Sequence, residues 1–247
     1  MSRSNPHDNA PNPAVRWFEW NGEHGIVRYY DKDAKKNVDV GSEFTFVLLD
    51  ELASVRGWHD ASGSGIYSNE VRDTRQDVMV VKAFKGGTLA EGVYKDIKDR
   101  VNTQGGQFVA NCYIGFKNGG GKLAIGSLRF KGAALGAWME FRKAHRGDLY
   151  KEAIRICGYT EGKKGRVIFR MPVLLLHALS PEANADATAL DKVLQEWLSG
   201  YFTRTKRDQV DQSQHHVPDE DIAAENEPPL SAYDDAPPAL TDDDIPF

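Results

Sequence analysis

A mainly β architecture with added helices, ending in a disordered acidic tail, is what the sequence predicts, and three observations carry it. Aromatic and β-branched runs alternate with Asn-Gly and Gly-rich turns through the first 130 residues. One run, residues 44–55, is too continuously apolar for a surface strand and is expected in the middle of a sheet. At Asp208 the composition breaks: all 31 Lys and Arg lie at or before Arg207, while 12 of the 36 acids lie after it. The net charge of −5 therefore averages a body of +7, which holds 24 acids, with a tail of −12. A basic body favours polyanions, and an acidic tail can mimic one. The competing account is an ordinary domain with a solubilising tail.

Taken in order, residues 1–13, with three prolines, three asparagines and no apolar run, form a disordered lead-in. Residues 15–20 and 26–30 read as strands about an Asn21-Gly22 turn. Residues 31–37 read as a charged loop before the long apolar run. Residues 57–67 hold three glycines and two serines and read as a loop, although it carries Trp58 and Tyr67. Residues 78–84 are the next strand, ended by Lys85-Gly86-Gly87. Residues 91–101 read as a helix, with Val93, Ile97 and Val101 on one stripe. Residues 107–116 alternate: Phe108, Ala110, Cys112, Ile114 and Phe116 share one face, and Gln107, Asn111 and Tyr113 the other. Asn118-Gly119-Gly120-Gly121 is a hairpin loop, and residues 122–130 are the return strand.

Give or take one strand before the helix, the order over residues 15–130 is β-β-β-α-β-β, that of the OB-fold, a five-stranded partly open barrel that binds oligonucleotides across one face and its flanking loops. Residues 131–207 exceed a minimal barrel and are expected as an α/β extension. Residues 132–145 read as a helix with Leu135, Trp138, Met139 and Arg142 along one side. A strand pair at 150–159 and 166–176 turns at Gly162-Lys163-Lys164-Gly165. A second amphipathic helix spans 187–204. One domain is thus expected over 14–207, with 208–247 a disordered tail.

Single-strand nucleic-acid binding needs cations for phosphates and flat side chains for bases, and the body interleaves them. Arg28 and Tyr29 form one cluster. Trp58 and Tyr67 precede Arg72 and Arg75. Lys82, Lys85, Tyr94, Lys95 and Lys98 form a third, and Tyr113, Lys117, Lys122 and Arg129 lie on the hairpin. Core packing competes with stacking for every aromatic. Stacking is favoured for Trp58, Tyr67 and Tyr113, the last because its face is polar. No zinc-finger spacing or helix-turn-helix appears, which favours sequence-tolerant single-strand binding over duplex readout.

Enzymatic readings are weaker. Leu123 follows Lys122 where a phosphate-binding loop needs Ser or Thr. The seven histidines are scattered, with His215 and His216 in the tail. Asp73, Asp77, Asp96 and Asp99 have no spacing that singles out a metal, so neither metal nor cofactor is expected. Cys112 and Cys157 make no framework and read as small core residues. No 18-residue apolar run and no secretory leader pattern occurs, so a cytoplasmic protein is expected.

The chain closes on Asp242, Asp243, Asp244, Ile245, Pro246 and Phe247: three carboxylates, then an apolar hook whose Phe side chain sits beside a terminal carboxylate. A partner needs a pocket for Phe247, a donor for the carboxylate, and Lys or Arg for the aspartates. These six residues resemble the acidic C-terminal tip of bacterial single-stranded DNA-binding proteins, which implies recruitment of replication and repair enzymes. The body resembles that family nowhere else, so its tetramer is not implied. The pattern Gly57-Trp58 through Gly65, Ile66, Tyr67, Ser68, Asn69 and Glu70, then Phe84-Lys85-Gly86-Gly87 and Glu91-Gly92, resembles bacteriophage single-stranded DNA-binding proteins with an OB-fold core. That resemblance implies a non-enzymatic protein that coats single-stranded DNA in replication, recombination or repair, in the host cytoplasm. Forty disordered residues reach about 35 Å, so the tail is expected to compete with loosely held nucleic acid for the basic body. The alternatives are a strand-annealing protein, an adaptor or decoy that engages a host enzyme through the tip alone, and a metal nuclease.

Overall fold

The computed structural model describes residues 11–211. The chain enters at β1 (Arg16–Asn21) and turns into β2 (Ile26–Asp31) through residues 22–25. Asn21 Oδ1 accepts the backbone N–H of Glu23 and of His24, and Gly25 takes the left-handed conformation. The expected charged loop is shorter than the composition implied. Asp31 Oδ1 caps the N–H of Asp33 and Ala34, and the chain turns directly into β3 (Lys36–Gly41). This is an edge strand, largely exposed, so no alternation of burial marks it in the sequence.

β4 (Glu43–His59) is the expected mid-sheet strand, but it continues through Trp58. A 3-10 turn at Asp60–Ser62 leads into β5 (Ser64–Ser68). Residues 57–67 are thus a hairpin rather than a loop. Its glycines serve close approach and turning: a Cβ on Gly57 would lie 2.1 Å from the Gly105 carbonyl oxygen, and Gly63 turns at φ 56°. β6 (Val78–Ala83) and β7 (Gly87–Val93) follow, so Glu91 to Val93 are strand, and α1 (Tyr94–Thr103) starts only at Tyr94. β8 (Gly106–Lys117) and β9 (Leu123–Lys131) form the expected hairpin. α2 (Gly132–Ala144) is followed by β10 (Ala153–Lys164) and β11 (Val167–His177), whose turn falls on Gly165 rather than on residues 162–165. α3 (Pro181–Asp211) is longer than its amphipathic stripe and runs past residue 207.

All eleven strands join one open sheet in the order β3-β2-β1-β9-β8-β4-β5-β6-β7, with β10 also on β4 and β11 on β10. The fold is therefore mainly β with three helices, and residues 131–207 are no appendage, since β10 pairs with β4 from Val47 to Glu43. One side of the sheet carries two cores. Phe18, Phe46, Ile114, Phe130 and Ile154 pack under α2, whose Trp138 stacks on Phe130 with centroids 5.1 Å apart. Val55, Ile66, Val81 and Ala83 pack on α1 through Ile97 and Val101. On the other side, α3 lays Leu194 and Leu198 over Leu49, Leu52, Tyr113 and Ile125. Cys112 is buried and Cys157 half-buried, both free. No helix among the described residues is long and apolar enough to cross a membrane.

The Gly57–Gly105 approach is backbone on backbone and cannot relax by a side-chain turn. Gly57→Ala is expected to lower stability by roughly 1–3 kcal/mol, read as a urea midpoint; an unchanged midpoint contradicts this packing.

Candidate nucleic-acid interface

Side chains alternate across a strand, so register decides which cations and aromatics share a face. Arg56 pairs with Gln107 on β8 and Tyr67 on β5, and Tyr67 pairs with Lys82 on β6. Gln107, Arg56, Tyr67 and Lys82 therefore form one cross-strand row. Trp58 pairs with Gly65, whose carbonyl accepts the N–H of Phe84, making a second row on the same side. Between its two aromatics lies only Gly65, where a Cβ would meet nothing nearer than the Gly57 oxygen at 4.0 Å. Phe84 is 42% exposed, Lys85 is exposed, and Trp58, Tyr67 and Lys82 are half-buried. Along β9 and β2 the same face carries Arg129, Lys131 and Arg28. Glu19 lies among them, 2.6 Å from Arg28 Nε and 4.0 Å from Lys131 Nζ.

The turn that carries Trp58 is fixed rather than loose. The two ring nitrogens of His59 each sit 2.8 Å from a partner, Nδ1 from Ser62 Oγ and Nε2 from Gln104 Oε1. Ser62 and Ser64 share a hydrogen bond of 2.8 Å, and Ser64 Oγ accepts the N–H of Lys85. The β4–β5 turn is thereby tied to the end of α1 and to the β6–β7 turn.

Several expected site residues are placed elsewhere. Tyr113 is interior: it is 1% exposed, and its hydroxyl donates to Glu70 Oε2 at 2.8 Å. Its neighbours on that face include Leu49, Leu52 and Ile125, and α3 covers it, so it has no surface for a base. Tyr94 is also buried, against Phe108, and burial pushes its hydroxyl up to about 12. Arg28 and Tyr29 are neighbours in sequence and so on opposite faces; Tyr29 packs on Phe18 under the Arg16 guanidinium. Lys95 and Lys98 ride on α1, across the sheet from Lys82. Arg72 binds Asp50 at 2.7 Å and Gln195 at 3.3 Å, holding α3 to the sheet. Arg75 is exposed in a turn whose N–H groups are capped by Asp73 and Asp77. Lys117 and Lys122 are exposed at the β8–β9 tip, at the other end of the β4–β8 ladder from Trp58. The register thus unites Trp58, Tyr67, Lys82 and Lys85 and adds Arg56, Phe84, Gln107 and Lys131. The period-2 spacing of Arg56 with Trp58, and of Lys82 with Phe84, is the sequence signal for two of these. The tip, residues 242–247, lies outside the described residues.

At the boundary between the open half of this face and α3 sits Glu70. It accepts from Asn111 Nδ2 and from Tyr113, each at 2.8 Å, and its own N–H donates to the Tyr201 hydroxyl at 2.7 Å. Arg56 and Arg129 lie near enough to favour its charge, yet burial prevails and raises its carboxyl. The last described turns of α3 follow Tyr201 and Phe202, whose ring lies 5.6 Å from the Arg72 guanidinium. No family model, curated protein or solved structure matches the chain.

Because the folded-state carboxyl is raised above 4.5, the folded chain holds a proton there that the unfolded chain releases. Stability then falls as pH rises from 4.5 through the raised value. Glu70→Gln is expected to lessen the decline of the urea midpoint as pH rises above 4.5; an identical decline in both chains contradicts the assignment.

Proposed function

We propose that this chain is a sequence-tolerant, non-enzymatic single-stranded DNA-binding protein. It coats single strands during replication, recombination or repair, and recruits partner enzymes through Asp242, Asp243, Asp244, Ile245, Pro246 and Phe247. The observation that carries the reading is the pair of adjacent rows on one open sheet face, cations and Tyr67 in one and two aromatics in the other. Cations there meet phosphates, and Trp58, Tyr67 and Phe84 offer rings to bases without choosing among them.

The finer fold reading belongs here as well. β4, β5, β6, β7, α1, β8 and β9 run β-β-β-β-α-β-β, and without β7 the strands lie in the sheet order β9-β8-β4-β5-β6. That order supports an OB-type reading on elements shifted along the chain, with one strand added before the helix and the sheet continued where β9 pairs with β1 and β6 with β7. In such a fold the second and third strands and the loops after the first and fourth strands bind oligonucleotides. Here those are β5, β6 and the turn after Trp58, whereas the loop bearing Lys117 and Lys122 lies at the other end of the β4–β8 ladder and apart from the two rows. Carboxylates carried on the same chain would compete with loosely held nucleic acid for the cationic face.

Binding of labelled oligo-dT, beside a duplex of equal length and at two salt concentrations, tests this. Trp58→Ala or Tyr67→Ala is expected to weaken dT binding by about 1–3 kcal/mol. Lys82→Ala should lower the log–log salt slope by about 0.7. Tyr113→Phe should leave affinity unchanged and cost about 1 kcal/mol of stability. A chain ending at residue 211, which keeps α3, should bind dT more tightly at low salt. Equal binding of duplex, or no binding at all, overturns the reading.

A further inference from the structure

We propose that the β10–β11 hairpin is a second nucleic-acid contact, which takes the phosphate backbone of a second single strand. The inference rests on the nucleic-acid reading above but uses different residues. After Cys157, β10 leaves β4 and pairs with β11 alone, from Tyr159 opposite Pro172 to Lys164 opposite Val167. The projecting tip reads Gly162-Lys163-Lys164-Gly165-Arg166, and its three cations are all exposed. Glu161, which precedes the tip on β10, is already engaged by Arg170 at 3.0 Å. Lys163 and Arg166 make no ion pair among the described residues. Beside Lys163 its cross-strand partner Ile168 is 53% exposed, and Tyr159 is 43% exposed.

This hairpin is braced. The Arg170 N–H donates to the Gly22 carbonyl at 2.8 Å, and the Arg170 carbonyl accepts from Trp20 Nε1 at 2.8 Å. The Arg170 guanidinium donates to the Glu23 carbonyl and lies 5.3 Å from the Tyr159 ring centroid. That ring sits against Gly25, where a Cβ would come within 2.4 Å of Cδ1. Trp20 is a core residue at 3% exposure, so the arm is anchored from the interior. Cations presented on a braced arm lose little further freedom when they bind.

Position separates this contact from the first. Cys157 pairs with Glu43 at the start of β4, whereas Trp58 lies near its end. About 15 residues of strand lie between, roughly 50 Å at 3.3 Å per residue. A short oligonucleotide across Trp58 and Tyr67 leaves the arm uncovered and able to hold another strand. Two strands on one chain meet at an effective concentration of about millimolar order, which speeds pairing where they are complementary. The arm would make this coating protein an annealing protein as well.

The test counts strands per chain by native mass spectrometry of the full-length protein with excess dT of about 12 nucleotides. It is paired with the rate of pairing of complementary oligonucleotides. Wild type is expected to hold two strands. Lys163→Glu with Arg166→Glu should hold one, keep first-strand affinity within about 2-fold, and lose about 10-fold in pairing rate. Lys163→Gln with Arg166→Gln should fall between, and matching thermal melts show that both variants fold. A wild type that holds one strand, an unaltered pairing rate, or an equal loss of first-strand affinity overturns the second contact and leaves the first standing. No strand bound by any of the chains overturns both readings.

Discussion

The structure depends on one ladder, that of β4 with β8, which runs from Phe46 opposite Phe116 to Gly57 opposite Gly106. At 17 residues, β4 spans roughly 56 Å, far more than one small core can cover. Strands also twist, so the same side of β4 faces different partners at its two ends. Phe46 and Leu48 enter the core under α2, and Ala53 and Val55 the core over α1. The other edge of β4 is divided as well, with β10 on its first residues and β5 on its last. Between the two cores the buried Glu51 carboxylate is held by Arg142 at 2.6 Å and Trp138 Nε1 at 3.2 Å. Removing one member of such a pair strands the other, so it fixes where α2 docks.

What remains of the opposite face decides what the protein can bind. α3 covers the apolar half, from Val47, Leu49 and Ile125 to Tyr113. The uncovered half keeps Arg56, Trp58, Tyr67, Lys82 and Gln107. Glu70 marks the seam. Its carboxylate serves Asn111 and Tyr113 within, while Arg56 and Arg129 face it from the open side. The same helix that closes half of the face passes this seam at Tyr201 and runs on to Asp211. Cationic surface and aromatic rows are thus what α3 leaves uncovered.

Much of this was legible in the sequence, and the failures have physical causes. β1, β2, β8, β9 and α2 are readable from the spacing of their apolar residues, and β4 from a continuous apolar run that is buried on both sides. β3 was hidden because an edge strand exposed on both sides has no burial pattern to read. The hairpin at 57–68 was read as a loop because its glycines answer to the Gly57–Gly105 contact, between residues 48 positions apart. Tyr113 was placed on an open face because its cover, Leu194 and Trp197 of α3, lies more than 80 residues downstream. Arg28 and Tyr29, or Lys82 and Lys95, looked like clusters because closeness along the chain was taken for closeness in space. Strand alternation separates the first pair and the thickness of the sheet the second.

Hydrogen–deuterium exchange of the full-length chain, with and without oligo-dT, tests the central claim most directly, because it reports which face is covered. The account predicts slowed exchange in residues 56–68 and 82–86, with α1 at residues 94–103 unchanged. Slowing confined to α1, or absent from both strand segments while dT is bound, would contradict it.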